Sequence, residues 1–196
     1  MSKAKVGVLI SGRGSNMAAL IEAAKADDCP FEIALVLSNK PDAGGLETAR
    51  AAGIEAWAID QKLFGKDREA HERELDAALR QADCGYVALA GYMRVLTPFL
   101  VRAWAGRMVN IHPSLLPKYP GLDTHQRALN AGDAEAGCTV HLVTEGVDEG
   151  PILGQARVPI RTGDDAHALA ERILVEEHRL YPAALAELVQ QKPASS

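Results

Sequence analysis

Three residues carry side chains suited to moving a proton. Asn110 and His112 stand two apart in Val109-Asn110-Ile111-His112-Pro113-Ser114-Leu115-Leu116-Pro117, and Asp148 stands in Val147-Asp148-Glu149-Gly150-Pro151. Side chains alternate along an extended chain, so Asn110 and His112 point to one side. Pro113 and Pro117 deny the next segment both sheet pairing and a normal helix, which predicts a fixed loop where the strand ends. Histidine exchanges protons near neutral pH, a neighbouring carboxylate orients the ring, and an asparagine amide offers a neutral donor to a developing oxyanion. No serine or cysteine nucleophile belongs to this set. It suits acyl transfer to an external amine, or hydrolysis by water.

His141 shares a strand face with Thr139 and reads equally as a group turned to this site or as a core histidine. A metal held by His112, His141 and Asp148 is conceivable on ligand type, but nothing in the spacing demands one and Asn110 would then lack a task; no metal is expected. His71, His125, His167 and His178 fall in helical or loop contexts and are expected on solvated faces.

A second constellation follows the first apolar run. Lys5 to Ile10 reads as a buried strand, Ser11-Gly12-Arg13-Gly14-Ser15-Asn16 as a turn, and Met17 to Lys25 as a helix. Free N–H groups at a helix start, on the positive end of its dipole, suit a phosphate. Met17 occupies the place of the third glycine of a dinucleotide fingerprint, and the second strand ends in Ser38-Asn39-Lys40 rather than an acidic residue. The Gly-Lys-Ser close of a P-loop is also missing. A monophosphate on Gly14, Ser15 and Asn16 fits better than NAD or ATP.

The elements that position these groups alternate. Strands are predicted at Ile33 to Leu37, Ala56 to Ile59 and Tyr86 to Ala90, with helices at Leu46 to Ala52, Asp67 to Gln81 and from Thr97-Pro98 to about Ala103. This rhythm predicts an α/β domain with a mostly parallel sheet covered on both faces. After the proline loop come a helix over Thr124 to Asn130 and strands over Cys138 to Val143 and Pro151 to Val158, expected to pair antiparallel. A long helix follows, capped at Asp164-Asp165, reaching about Gln190 and expected to kink or restart at Pro182.

Composition sets the frame. With 196 residues, 47% hydrophobic and 24% charged, the chain is expected to form one soluble domain, 1–196. Its phosphate-binding half is read as 5–110, its catalytic half as 111–190, and 191–196 as an unstructured tail. No apolar run is long enough to span a membrane, and the start leads directly into a strand, so a cytoplasmic location is expected. Cys29, Cys84 and Cys138 have no paired spacing and read as buried thiols. A net charge of -5 without a basic cluster argues against nucleic acid as a partner.

The segment Ile111 to Gly121, with Asn110 before it and Asp148-Glu149-Gly150-Pro151-Ile152 after it, closely resembles the signature of the phosphoribosylglycinamide (glycinamide ribonucleotide) formyltransferase family. Supporting matches are Ile10-Ser11-Gly12-x-Gly14-Ser15-Asn16, Ser38-Asn39-Lys40, Ala90-Gly91-Tyr92-Met93-Arg94 and Glu177-His178-x-x-Tyr181-Pro182, together covering nearly the whole chain. The resemblance implies a single-domain Rossmann-like formyltransferase fold and formyl transfer from 10-formyltetrahydrofolate, a co-substrate, to the amine of 5-phosphoribosylglycinamide in purine biosynthesis. It implies that Gly14, Ser15 and Asn16 hold the phosphate and that Glu177 accepts from the ribose hydroxyls. Met93, Arg94, Val95 and Leu96, with Thr144, Glu145, Gly146, Val147 and Asp148, would line the folate pocket beside Asn110, and Arg68 would meet the benzoylglutamate end. Asn110 and protonated His112 would stabilise the oxyanion, and Asp148 would order a water that carries the proton to the departing folate nitrogen.

Two relatives share this catalytic pattern. Methionyl-tRNA formyltransferase usually has glycine where Pro113 stands and adds a C-terminal tRNA domain, for which this chain is expected to be too short and too acidic. Formyltetrahydrofolate deformylase, a hydrolase, usually carries a preceding regulatory domain, which a first strand at Lys5 is expected to exclude. A non-catalytic phosphate sensor would not need Asn110, His112 and Asp148 together. Expected partners are small-molecule substrates, neither nucleic acid nor membrane, and at most a weak homodimer. Glu149 in the D-x-G-P turn and the early end after the last helix depart from the family pattern.

Overall fold

A computed structural model describes residues 2–191; the expected unstructured end lies outside them except for Gln191. Seven strands, β1 (Ala4–Ile10), β2 (Phe31–Ser38), β3 (Ala56–Ala58), β4 (Tyr86–Leu89), β5 (Met108–His112), β6 (Glu135–Leu142) and β7 (Ile152–Pro159), form one sheet in the order β3-β2-β1-β4-β5-β6-β7. The first five are parallel, and β6 pairs antiparallel with both β5 and β7. The α/β class, the mostly parallel sheet and the antiparallel C-terminal unit are therefore borne out. Strand order reverses between β1 and β4: the chain first winds outward through β2 and β3, then restarts on the other side of β1. Loops leaving β1 and β4 diverge at such a point and open a crevice at their carboxyl ends.

Six α-helices cover the sheet: α1 (Ser15–Ala24), α2 (Gly45–Ala51), α3 (Arg68–Gln81), α4 (Pro98–Ala103), α5 (Thr124–Ala131) and α6 (Ala166–Gln190). On one face Met17, Leu20 and Ile21 of α1 and Leu46 and Ala49 of α2 pack with Tyr181, Ala184, Leu185 and Leu188 of α6 over Val6, Val8, Val109 and Ile111. On the other, Leu75 and Leu79 of α3 and Leu100 and Trp104 at α4 cover Leu9, Leu37, Val87 and Leu89. Because α4 has only six residues, the part of this second face that carries Asn110 and His112 is roofed by loops 113–123 and 143–151 instead. A small third cluster joins Ala128 of α5, Cys138 of β6, Val158 of β7 and Leu169 and Ile173 of α6.

Several local expectations are corrected. α6 runs unbroken through Pro182, neither restarting nor ending there, because buried Tyr181, Ala184, Leu185 and Leu188 hold the helix to the sheet on both sides of the lost backbone bond. Asp165 alone caps that helix, accepting from Ala168 N at 2.7 Å, whereas Asp164 pairs with Arg172. β6 starts three residues earlier than its alternating pattern suggested, at Glu135. Cys84 and Cys138 are buried, but Cys29 is half-buried. His71 is fully buried rather than solvated, its Nε2 donating to Ile59 O at 2.7 Å, because α3 turns that face inward beneath a 3₁₀ turn at Gln61–Phe64 that periodicity does not reveal. His125 and His178 are half-buried, and His167 is exposed as expected.

Tyr181 ties the layers together. Its side chain is wholly buried, and its hydroxyl lies 2.7 Å from Leu89 O and 3.2 Å from Val109 O, bridging β4 to β5. Tyr181→Phe leaves these carbonyls without that donor and is expected to lower unfolding free energy by about 1–2 kcal/mol; equal urea midpoints for the two proteins would remove Tyr181 from this role. Arg172 grips Asp164 with two bonds of 2.8 and 2.9 Å, and together with the Arg161 amide draws its carboxyl from 3.8 to about 2. The folded value is the lower one, so this contribution is fully present above the ordinary carboxylate value and is lost as pH falls towards 2. Asp164→Asn should therefore be less stable than wild type at neutral pH, with the gap closing as urea titrations move from about pH 5 towards about pH 2.

Candidate active site

β5 delivers Asn110 and His112 to one face, and antiparallel pairing sets His141 of β6 directly opposite Asn110. Loop 143–151 then folds back over that face and places Asp148 among them. Asp148 Oδ2 lies 3.4 Å from His112 Nδ1 and accepts from Gly121 N at 2.9 Å, and Oδ1 lies 3.5 Å from His141 Nε2. Asn110 Nδ2 is 3.4 Å from the same His141 nitrogen. Both imidazoles are buried. Asp148 holds this post at φ 54, a left-handed conformation that costs a non-glycine residue free energy and persists where the surroundings impose it. Turn and site agree, since Gly150 packs against Leu142 O with no room for a side chain.

The partners fix the tautomers. His112 Nε2 faces Tyr119 O at 2.8 Å and His141 Nδ1 faces Leu142 O at 2.9 Å. A carbonyl only accepts, so each of these nitrogens carries a proton. His112 Nδ1 and His141 Nε2 are left turned to Asp148. Burial raises the Asp148 carboxyl, but hydrogen bonds from His141 and the Gly121 amide, with charge on His112 and His141, outweigh it and hold the group below the ordinary carboxylate range. The result is a largely buried carboxylate facing one nitrogen of each of two imidazoles, with the Asn110 amide beside them.

Loop 113–123 is pinned from beneath. Thr139 Oγ1 donates to Ser114 O at 2.7 Å and accepts from Leu116 N at 3.1 Å, and Gln155 Nε2 donates to Leu116 O at 2.8 Å. Thr139 stands opposite His112 in the sheet, so the strand that supplies His141 also holds the loop after His112.

The glycine loop builds a separate cleft of about 200 Å³, lined by residues 12–16 with Ala90 and Gly91, at the crevice between β1 and β4. Gly14 starts α1 at φ 69 with no side chain capping the helix, leaving the first backbone N–H groups directed outward. Gly45 lies under the loop: its amide donates to Gly12 O at 3.0 Å, and a Cβ there would meet Ile10 Cδ1 at 2.5 Å. From α6, Glu177 reaches the rim and accepts from Asn16 Nδ2 at 3.0 Å. Burial pushes its carboxyl up, the Asn16 bond offsetting part of the rise. Asn16 Oδ1 is buried without a partner.

Met93 to Leu96 form the next wall. Met93 N donates to Ser11 Oγ at 2.8 Å, Arg68 Nη1 donates to Val95 O at 3.2 Å, and Glu72 receives the Thr97 amide at 2.8 Å and also its hydroxyl. Met93 and Val95 are exposed, Leu96 is half-buried, and the half-buried Arg94 has a buried Nη1 without a partner. On the opposing loop Thr144 and Val147 are exposed, Gly146 is half-buried, and Glu145 pairs with Arg102 of α4 at 2.5 Å.

The structure thus brings Asn110, His112 and Asp148 together, groups Gly14, Ser15, Asn16 and Glu177 at the cleft, and sets Arg68 against the 93–96 wall. Sequence reasoning left His141 undecided; the facing register of β5 and β6 decides it. Ser11, Glu72 and Gly121 went unassigned, and only the Pro-Gly pair before Leu122 hinted at the last. Among the described residues no set of three or more His, Cys, Asp or Glu side chains has metal-binding geometry, and no helix is long and apolar enough to cross a membrane.

The sheet is doubly wound, the glycine loop lies at its reversal point, and the cluster of Asn110, His112, His141 and Asp148 gathers at the end of β5. The formyl transferase family profile matches residues 4–185, and the chain belongs to that family. The phosphoribosylglycinamide formyltransferase of Escherichia coli (strain K12) is 47% identical over 178 residues, covering 91% of this chain and 84% of that protein. The trifunctional purine biosynthetic protein adenosine-3 of Drosophila melanogaster is 51% identical over 187 residues; the alignment covers 94% of this chain but 14% of that much longer protein. The crystal structure of phosphoribosylglycinamide formyltransferase from Brucella melitensis superposes with a TM-score of 0.92 at 52% identity over the whole of both chains. The family and the enzyme class expected from the sequence are borne out.

Proposed function

We propose that this chain transfers a formyl group from 10-formyltetrahydrofolate to the amine of 5-phosphoribosylglycinamide, a step of purine biosynthesis. The observation that carries the reading is the Asp148 carboxylate set between His112 and His141 beside Asn110. Its support is that both substrates have residues suited to them. For the acceptor, the N–H groups at Gly14, Ser15 and Asn16 suit a phosphate, and a buried Glu177 carboxyl with one amide partner suits the hydroxyls of a ribose. For the donor, exposed Met93, Val95 and Val147 offer an apolar rim to a flat ring system, and the unpartnered Arg94 Nη1 offers a hydrogen bond. Arg68 stands outside this wall, where an anionic tail would pass.

The bound folate supplies an activated formyl carbon. Asn110 has one N–H turned to His141 and a second free to reach the formyl oxygen, and a protonated His112 Nδ1 adds a charged donor. These two hold the negative charge that develops as the acceptor amine attacks. Asp148 receives the proton that the amine must lose and passes it, through an ordered water, to the folate nitrogen as the carbon–nitrogen bond breaks. No covalent bond to the enzyme forms, and holding both substrates in line supplies much of the acceleration. The cluster's long spacings, 3.4 to 3.5 Å, suit groups that tighten once substrate is in place.

Purified protein given both substrates should release tetrahydrofolate, and His112→Ala or Asp148→Ala should lose about 100- to 10,000-fold in kcat while still binding ligand. Folate release at the same rate without the amine would establish the hydrolase instead. At the glycine loop, Gly14→Val forces a branched side chain into a left-handed backbone position beside Met17. It should raise the acceptor KM about 10- to 100-fold, the worth of one or two hydrogen bonds to a charged group, with little change in the folate KM. Equal effects on both constants would remove the phosphate from this loop.

A further inference from the structure

The strained half of loop 113–123 is held by a carboxylate outside the catalytic cluster. Asp133 follows α5, just past Gly132, which ends the helix in a left-handed conformation. Its Oδ2 accepts from Tyr119 Oη at 2.7 Å and its Oδ1 from Lys118 Nζ at 3.0 Å. Its side chain is only 16% exposed and its bond to Tyr119 is partly buried, whereas Lys118 reaches it from the solvent side. The Tyr119 and Lys118 bonds, in that order, draw the Asp133 carboxyl below its ordinary range, and the bond to Asp133 raises the Tyr119 phenol.

Tyr119 needs such a hold. Its φ is 56, and an aromatic residue in the left-handed region costs about 1–2 kcal/mol. That conformation turns the Tyr119 carbonyl inward, where it accepts from His112 Nε2 at 2.8 Å and from Ser114 Oγ at 3.2 Å. A relaxed backbone would turn the carbonyl elsewhere. Arg127 braces the outer side, donating to Pro120 O at 2.6 Å with its guanidinium 5.2 Å from the Tyr119 ring centre. On the inner side the cavity bordered by Ser114, Tyr119, His125 and Asp133 holds about 10 Å³, room for at most one water. Thr139 and Gln155 fix the loop as far as Leu116; beyond it the clamp at Asp133 holds the side chains of Lys118 and Tyr119, while Ser114 Oγ donates to their carbonyls at 2.6 and 3.2 Å.

We propose that Asp133 is a positioning residue for the reaction: by anchoring Tyr119 and Lys118 it keeps the Tyr119 carbonyl on His112 Nε2 and so keeps Nδ1 turned to Asp148. The proposal rests on the reading of His112 as the proton-bearing group in formyl transfer. When the clamp is lost, Tyr119 relaxes, the His112 ring loses the acceptor that sets its tautomer, and protons distribute over both nitrogens. Substrate binding is unaffected, because the glycine loop and the 93–96 wall belong to other elements.

Two-bond proton–nitrogen correlation spectra of the full chain test this directly, since they report imidazole tautomers without substrate. Asp148 from loop 143–151, with His141 of β6 on its other oxygen, and His125 from α5 also face His112, so its titration is read from its own assigned resonance. Wild type should show the Nε2–H form of His112, and Asp133→Ala a mixture of both tautomers with a moved titration midpoint. In the same variant kcat should fall about 10- to 100-fold, with both KM values within about 3-fold, well below the cost of losing one hydrogen bond to a charged group. Tyr119→Phe should reproduce these changes, whereas Asp133→Asn, which keeps an acceptor for the phenol, should recover most of the loss. An unchanged tautomer and midpoint in both Asp133→Ala and Tyr119→Phe would overturn the proposal, whatever the rate. A wild type without transferase activity whose His112 tautomer still depends on Asp133 would refute the reaction and retain the clamp.

Discussion

One buried anion organises this molecule. Asp148 sits where three parts of the chain meet: the end of β5 through His112, the facing strand β6 through His141, and the tip of the proline loop through the Gly121 amide. A carboxylate removed from water needs compensation from every side, and each compensating group comes from a different segment. The strained backbone at Asp148 and the tight turn at Gly150 are the local cost of bringing the carboxylate there. In the proposed reaction the same electrostatic need that holds the loops together makes the site a place for proton transfer. Folding and chemistry draw on one set of charges.

The layered architecture explains why the site lies where it does. α4 stops after six residues, so β5 and β6 keep a helix-free face on which a polar cluster can be roofed by loops. Reversal of strand order between β1 and β4 opens the neighbouring crevice and places the free helix start at Gly14 beside Gly91. The segment leaving β4 serves both places: Ala90 and Gly91 line the cleft, and Met93, two residues on, begins the apolar wall while its amide rests on Ser11. Ser11 in turn donates to Asn39 at 2.6 Å, and Asn39 donates to Gln61 at 2.8 Å. The ends of four neighbouring strands, β4, β1, β2 and β3, are thus laced together beneath the two proposed substrate positions.

Much of this was legible in the sequence because short-range rules governed it. Alternation put Asn110 and His112 on one side, the prolines fixed the loop after them, and glycines marked the start of α1. The Thr97-Pro98 and Asp67 signals placed two helix starts to within a residue. What stayed hidden was set by register and by tertiary contact. His141 joined the cluster because antiparallel pairing puts it opposite Asn110, a fact no local pattern encodes. His71 looked solvated because α3 is so heavily charged, yet its ring is sealed under the 3₁₀ turn. Pro182 predicted a kink or a restart, yet one helix continues through it, held to the sheet by buried residues at and beyond that point.

The long helix α6 has a geometric consequence. Glu177 and Tyr181 are four residues apart, one turn of a rigid rod, so they lie on the same side of it. One faces Asn16 at the cleft rim, and the other braces the backbones of β4 and β5 just before Asn110. The rod therefore acts as a gauge block between the cleft rim at Asn16 and the strand that carries Asn110 and His112. Any shift of α6 along the sheet displaces both together and preserves their separation. In the proposed reaction a single helical turn thus sets the spacing between the cleft rim and the strand that carries Asn110 and His112.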